Sequence, residues 1–373
     1  MISRRQTLGF AAALAAGPAL ARTEKPIIVN ALGGLSNPNL QIGRPAGPAA
    51  DTSVTDFDAR GLRDAKASGL TAVNITLGYV AGPQEPYAYT LKTLDVWDRI
   101  IADNAADLTL VRKAADIAKA GAAGRIGVIY GFQNAVQIGE KLERIDEFAA
   151  RGVRIVQLTY NLPNILGDGS MAPENRGLTP AGREVVAGLN RARLMVDLSH
   201  SGERTCLDAL AESKAPISIN HTGCRALTDL PRNKTDAELR GVAEKGGFVG
   251  IYFMPFLKPT SQASAADVAA HIEHALKICG EDHVGIGTDG SVATIDDMEA
   301  YKAALAQEHA ERKAAGIAAK GERADTQPFV MDLRGPDQFR KLAGLLKARG
   351  HSQRVIDKVM GRNFVSYAER VWG

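Results

Sequence analysis

The chain has 373 residues, 45% of them hydrophobic, and a formal charge of +3. That is enough chain to bury a large core, and the small charge is spread without a Lys/Arg block or interleaved aromatics, which argues against a nucleic-acid partner. Its three cysteines, Cys206, Cys224 and Cys279, are far apart and odd in number, which excludes a CxxC metal site and a disulfide framework.

The N-terminus reads as a targeting segment. Ser3–Leu8 is a twin-arginine pattern, an Ala-rich apolar run follows over Leu8–Leu20, and Ala19-Leu20-Ala21 is a small-residue cleavage site. The expectation is an export signal over 1–21, a mature chain starting at Arg22, and a periplasmic location. The apolar run is too short and too rich in Ala to make a stable membrane anchor.

Beyond it, short apolar runs with the character of buried strands alternate with helical patterns. Pro26–Leu32 is a first strand, followed by a Gly/Pro/Asn-rich loop over Gly33–Pro48 that shapes the mouth of a site. Asp56–Ser68 has a helical pattern and Leu70–Leu77 is the second strand. Helical patterns over Leu91–Asn104 and Leu108–Ala120 lead to Arg125–Tyr130, the third. Lys141–Arg151 is a helix stopped by Gly152, and Val153–Thr159 is the fourth strand. After a long loop, Asn161–Gly177, a helix begins at the capping pair Thr179-Pro180 and runs to Arg193. Leu194–Leu198 and Pro216–Asn220 are the fifth and sixth strands, joined by a helix over Glu203–Glu212. Asp236–Lys245 is helical, Phe248–Phe253 is the seventh strand, Ala265–Cys279 is an amphipathic helix, and His283–Gly287 is the eighth strand. The segment Val292–Pro328 reads as an insertion over the barrel mouth or packed on its side, and three short helices around Asp337–Arg349, Ser352–Met360 and Arg362–Val371 end the chain. Eight strands alternating with helices are what a (β/α)8 barrel requires, and no repeat or linker divides residues 22–373, so a single barrel domain is expected.

In such a barrel the chemistry lies at the carboxyl ends of the strands. His200 and His221 follow consecutive strands, and two imidazoles so placed suit a divalent metal. The other strand ends offer Leu32-Gly33-Gly34, Gln133-Asn134, Tyr160-Asn161 and Asp289-Gly290, while Arg232-Asn233 follows the sixth strand on a loop. Asp289 would ligate a metal, take a proton from water, or close an Asx-turn at its Asp-Gly corner. Arg232 offers forked donors to a substrate carboxylate, and Tyr160 a phenol to an oxyanion. Few carboxylates are present; His200, His221 and Asp289 would support one ion, not two.

Five blocks, in order, resemble the membrane dipeptidase (renal dipeptidase) family: LTYNLPNILGDGS at 158–170, GLTPAGREVVAGLNRARLMVDLSHSG at 177–202, the His221 segment with LPRN at 230–233, HVGIGTDG at 283–290, and VMGRNFVSYAERV at 359–371. The resemblance implies a dinuclear zinc peptidase on an amidohydrolase-like barrel, and a homodimer. It gives His200 and His221 to one zinc, Arg232 with Asn233 to the substrate, and Asp289 to proton handling. Three positions depart from the family. Its His-x-Asp pair on the first strand is matched by Leu32 and Gly34, its bridging glutamate by Gln133, and the histidine that steadies the reacting carbonyl by Tyr160. The expectation is therefore a dipeptidase-like hydrolase with one zinc on His200 and His221, with Gln133 reaching the substrate or filling in at the metal. The alternatives are a non-catalytic protein that binds peptides or small carboxylates, and a lyase or isomerase on the same barrel.

Overall fold

The computed structural model describes residues 26–40, 42, 56–260, 262–314 and 323–373. The export-signal reading falls on residues 1–21, outside the described residues. Nine parallel strands form one sheet: β1 (Val29–Gly33), β2 (Ala72–Leu77), β3 (Leu108–Leu110), β4 (Ile126–Phe132), β5 (Val153–Gln157), β6 (Met195–Asp197), β7 (Ser218–Thr222), β8 (Phe248–Ile251) and β9 (Val284–Ile286). Eight run in the order β1-β2-β4-β5-β6-β7-β8-β9. The ring meets itself between β1 and β9, where Asp289 N–H donates to Leu32 O (2.9 Å), Gly34 N–H donates to Gly290 O (3.1 Å), and Gly34 bridges Ser291. This is the (β/α)8 barrel, and its eight strands are the eight apolar runs of the sequence.

The helices are α1 (Ala59–Ala67), α2 (Pro86–Asp103), α3 (Ala114–Ala122), α4 (Glu143–Ala150), α5 (Pro180–Arg191), α6 (Glu203–Glu212), α7 (Asp236–Glu244), α8 (Ala265–Cys279), α9 (Met298–Ala314), α10 (Gln338–Ala348), α11 (Gln353–Asp357) and α12 (Asn363–Trp372). Thr179 caps α5 as expected, its hydroxyl accepting from Gly182 N–H at 3.0 Å. Two expectations need correction. Helix α2 begins at Pro86, earlier than the apolar period suggests, because the Glu85 carboxylate accepts from Tyr87 N–H and Ala88 N–H at its start. Leu108–Leu110, expected as helix, is strand β3. The cause is non-local. Strand β4 has seven residues, and β5 pairs only with its upper part, Tyr130–Phe132. Leu108–Leu110 pairs with Ile126–Val128 and satisfies the backbone groups that β5 leaves open.

Two layers of apolar packing hold the ring. One lies between strands and surrounding helices, with Val73, Ile75, Val128, Val196, Ile219 and Val249 among its buried members. The other fills the floor of the barrel. Val29, Ala72, Met195 and Phe248, near the strand starts, meet Phe364, Tyr367 and Trp372 of α12, so the last helix plugs the barrel from below. Among the described residues no helix is long and apolar enough to cross a membrane.

A buried ion pair ties the scaffold to the site. Lys234 and Glu238, each 1% exposed, lie 3.2 Å apart. Lys234 Nζ also donates to the carbonyl oxygen of Ser201, the residue after His200, and Glu238 completes the capping box of α7 with Thr235. Glu238→Ala strands a buried ammonium and is expected to cost about 3–5 kcal/mol in urea unfolding, whereas Lys234→Met with Glu238→Leu recovers much of that loss.

Candidate active site

Strands β6 and β7 bring the two histidines together, and side chains stitch them. Their backbone pairing is a single register pair, Asp197 with Ser218. The buried Asp197 carboxylate accepts from Ser199 N–H (3.0 Å), Ser199 O–H (2.5 Å) and Asn220 N–H (3.0 Å). Ser199 Oγ in turn accepts from His221 N–H at 3.1 Å. Burial pushes the Asp197 carboxyl above its usual range, against the pull of these hydrogen bonds.

With the strand ends so aligned, His200 Nε2 and His221 Nε2 face each other at 2.9 Å. His200 Nδ1 lies 2.7 Å from Asn161 Oδ1, so Nδ1 carries the proton and Nε2 keeps its lone pair. His221 Nδ1 is buried without a hydrogen-bond partner. Burial, and after it the Arg232 charge, holds both imidazoles well below the usual histidine range. The pair is therefore neutral at pH 7. Tyr160 stacks on His200 with ring centroids 4.3 Å apart.

The sequence candidates divide here. Arg232 reaches the pair: its Nη1 donates to Ser199 O at 2.5 Å and its Nη2 lies 3.2 Å from His200 Nε2. Gln133 Nε2 is 3.4 Å from His221 Nε2, and its Oε1 is bonded by Thr76 at 3.0 Å. Asn233 does not reach the cavity. It is fully buried, donates to Thr228 O and Phe256 O, and accepts from Tyr252 O–H at 2.5 Å, so its bonding capacity is spent on the scaffold that holds Arg232. Asp289 sits in the left-handed region (φ 57°) at the end of β9, an uncommon place for a non-glycine residue. Its carboxylate accepts no hydrogen bond among the described residues, so the corner is not an Asx-turn, and it lines the cavity instead. Burial, with Asp197 adding and Arg232 opposing, pushes its carboxyl up to about 6.

A cavity of about 220 Å³ joins Tyr160, His200, Arg232, Tyr252 and Asp289. The insertion lies over the mouth: Leu305, Glu308, His309 and Arg312 of α9 form the facing wall. Sequence reasoning missed Asp197 and Ser199, and noted Asn161 at a strand end without its part in positioning His200. The signal for the first two was the polar residues of DLSH set into an otherwise apolar run.

The fit to metal is partial. Leu32 and Gly34 are engaged in closing the barrel and present no ligand atom, and Gln133 is neutral, so a dinuclear centre does not fit. Among the described residues no three His, Cys, Asp or Glu side chains converge as a metal group. The two Nε2 atoms come near to fitting a single ion: a tetrahedral ion with metal–nitrogen bonds of about 2.0–2.1 Å keeps two nitrogens about 3.3 Å apart, so the 2.9 Å pair would open by a few tenths of an ångström to hold one, and His200 already has the outer hydrogen bond that orients a ligating imidazole.

Barrels with histidines at the ends of consecutive strands are a scaffold of metal-dependent hydrolases, the class to which this fold and site point. Comparison with known proteins narrows it. The chain belongs to the membrane dipeptidase family (peptidase family M19), whose model matches residues 49–321. A solved amidohydrolase from Pseudomonas aeruginosa is 33% identical, with 93% of this chain and 97% of that one covered and a TM-score of 0.76. A Klebsiella pneumoniae protein, described only as an uncharacterized protein in the pqqA 5' region, is 26% identical over 78% of this chain and 98% of its own length. The dipeptidase tcpJ of Claviceps purpurea is 30% identical over 76% of this chain, which spans 60% of that protein. The family is metal-dependent and is described as one of dipeptidases, a name that the Claviceps relative carries.

The raised Asp289 carboxyl has a signed consequence for stability. The folded state binds this proton more tightly than the unfolded chain, so the associated stabilisation is full below pH about 4 and is lost as pH rises through about 6. Asp289→Asn, which resembles the protonated form, is expected to be more stable than the parent by about 2 kcal/mol at pH 8 and nearly equal to it at pH 4, as read by denaturant unfolding at both pH values.

Proposed function

We propose that the chain is a periplasmic hydrolase of dipeptides and related carboxylate-bearing amides that holds one zinc on His200 and His221. The observation that carries this reading is the pair of neutral imidazoles, Nε2 to Nε2 at 2.9 Å, of which His200 lines the cavity beside the Arg232 guanidinium and His221 lies buried directly behind it. Zinc held by the pair would supply Lewis acidity toward a carbonyl oxygen and toward water. Arg232 takes the substrate carboxylate through its forked donors, leaving His200 as it does so. Asp289, whose carboxyl burial raises in the metal-free chain, would be drawn down by a bound cation and ionised at neutral pH, and accepts the proton of the attacking water. Tyr160, in the cavity wall, offers its phenol to the oxygen of the reacting carbonyl. α9 covers the mouth and limits access of bulk water.

Elemental mass spectrometry of protein folded with zinc is expected to give about one zinc per chain, lost in His200→Ala with His221→Ala, while two would overturn the single-ion reading. In dipeptide turnover, His200→Ala abolishes activity, and Arg232→Ala raises KM by roughly 100-fold through loss of a charged hydrogen bond. The acid limb of kcat/KM is expected below pH 6, since a bound cation draws the Asp289 carboxyl down from its metal-free value of about 6, and Asp289→Asn removes that limb together with most of the turnover. Full activity in His200→Ala would defeat the mechanism. Periplasmic placement rests on the N-terminal pattern and is tested by cell fractionation of an Arg4→Lys, Arg5→Lys variant, expected to stay in the cytoplasm.

The replacement of three family ligands by Leu32, Gly34 and Gln133 favours a second reading, binding of peptides or small carboxylates without turnover. Saturable binding weakened by Arg232→Ala, with no hydrolysis at any zinc concentration, would select it.

A further inference from the structure

A second cavity, of about 380 Å³, adjoins the first across Tyr160 and Asn161, which line both. Tyr79, Val80, Val136, Leu162 and Met171 supply much of its surface, and its lining contains no charged side chain. Two of its asparagines, Asn134 and Asn164, are already spent. Asn134 Nδ2 donates to Val80 O (2.8 Å), and its Oδ1 accepts from Asn164 Nδ2 (3.0 Å) and Val136 N–H (3.3 Å). Asn164 also donates to Leu158 O, and its Oδ1 accepts from Leu166 N–H and Gly167 N–H. Asn161 Oδ1 is held by His200. The same bonds fasten the loops after β2, β4 and β5 to one another, so the cavity is preorganised, and a ligand meets chiefly carbon there. A charged or strongly polar group entering it would lose its hydration without replacement partners.

From this we infer that the cavity is a substrate subsite for a bulky apolar group, aromatic or branched acyl, at the end of the molecule opposite the carboxylate held by Arg232. The inference rests on the reading of the adjoining cavity as a carboxylate-binding substrate site. It makes Tyr160 a specificity element as well: its ring forms the partition, one side on His200 and the other toward the apolar chamber. The volume exceeds that of a single small side chain, so the preference extends to fused rings.

The test is calorimetric binding of N-acetylglycine, N-benzoylglycine and N-(2-naphthoyl)glycine to the full chain, with Phe-Gly hydrolysis followed in parallel. Burial of one aromatic ring is expected to tighten binding roughly 10- to 100-fold from acetyl to benzoyl, with naphthoyl at least as tight. Val136→Trp fills the chamber and collapses that ratio toward one, and Met171→Ala enlarges it and shifts preference toward naphthoyl. A ratio near one in the parent protein, or a ratio unmoved by both variants, overturns the subsite, as does failure of the naphthoyl compound to bind. An intact ratio without Phe-Gly turnover upholds the subsite and defeats only the hydrolase reading, whereas turnover with a ratio near one does the reverse.

Discussion

Between β6 and β7 the backbone ladder nearly gives out, and a carboxylate takes over. Asp197 gathers donors from both strands, and Ser199 passes the connection on to the His221 amide. A regular ladder would fix only the strand spacing. The Asp197–Ser199 relay also fixes the height at which each strand stops, and that sets two imidazoles face to face. Its cost is a buried carboxylate, met by three hydrogen bonds. The loops then follow: Arg232 is anchored on Ser199 O, Lys234 on Ser201 O, and Asn161 on His200.

Barrel closure rests on backbone rather than on the side chains at positions 32 and 34. At the seam of β1 and β9 the backbone of Leu32 and Gly34 does structural work, and Asn30 and Thr288 join the same seam through paired hydrogen bonds of 2.8 Å. None of these contacts depends on the side chain at 32 or 34. The seam therefore sets no demand on the side chains at 32 and 34, while across the barrel His200 and His221 are held by supports of their own.

The sequence was most readable where the physics was local or strictly periodic. The barrel strands are continuous apolar runs because both faces are covered, and the Thr179-Pro180 cap is a nearest-neighbour effect. Strand β3 was not readable, since its stretch carries helical periodicity and becomes strand only because β5 leaves part of β4 unpaired. In the site, His200, His221 and Asp289 could be placed by position on strand ends and Arg232 on the loop after the sixth strand, but Asn233 could not be told from a ligand-facing residue: its neighbour Arg232 points into the cavity and it points away. Asp197 and Ser199 were hidden for a related reason. A polar residue inside an apolar strand looks like an exception until the partner strand that it serves is known.

The plug formed by α12 bears on how the molecule is made. The floor of the barrel is assembled from the beginnings of early strands, Val29 and Ala72, and from Phe364, Tyr367 and Trp372. The inner core is thus incomplete until α12 is in place, and the first strand must wait for partners more than 300 residues further along the chain. Such a topology has a high contact order. Until α12 docks, its early apolar strands are open to other chains, so deletion of that helix would expose the barrel floor to association.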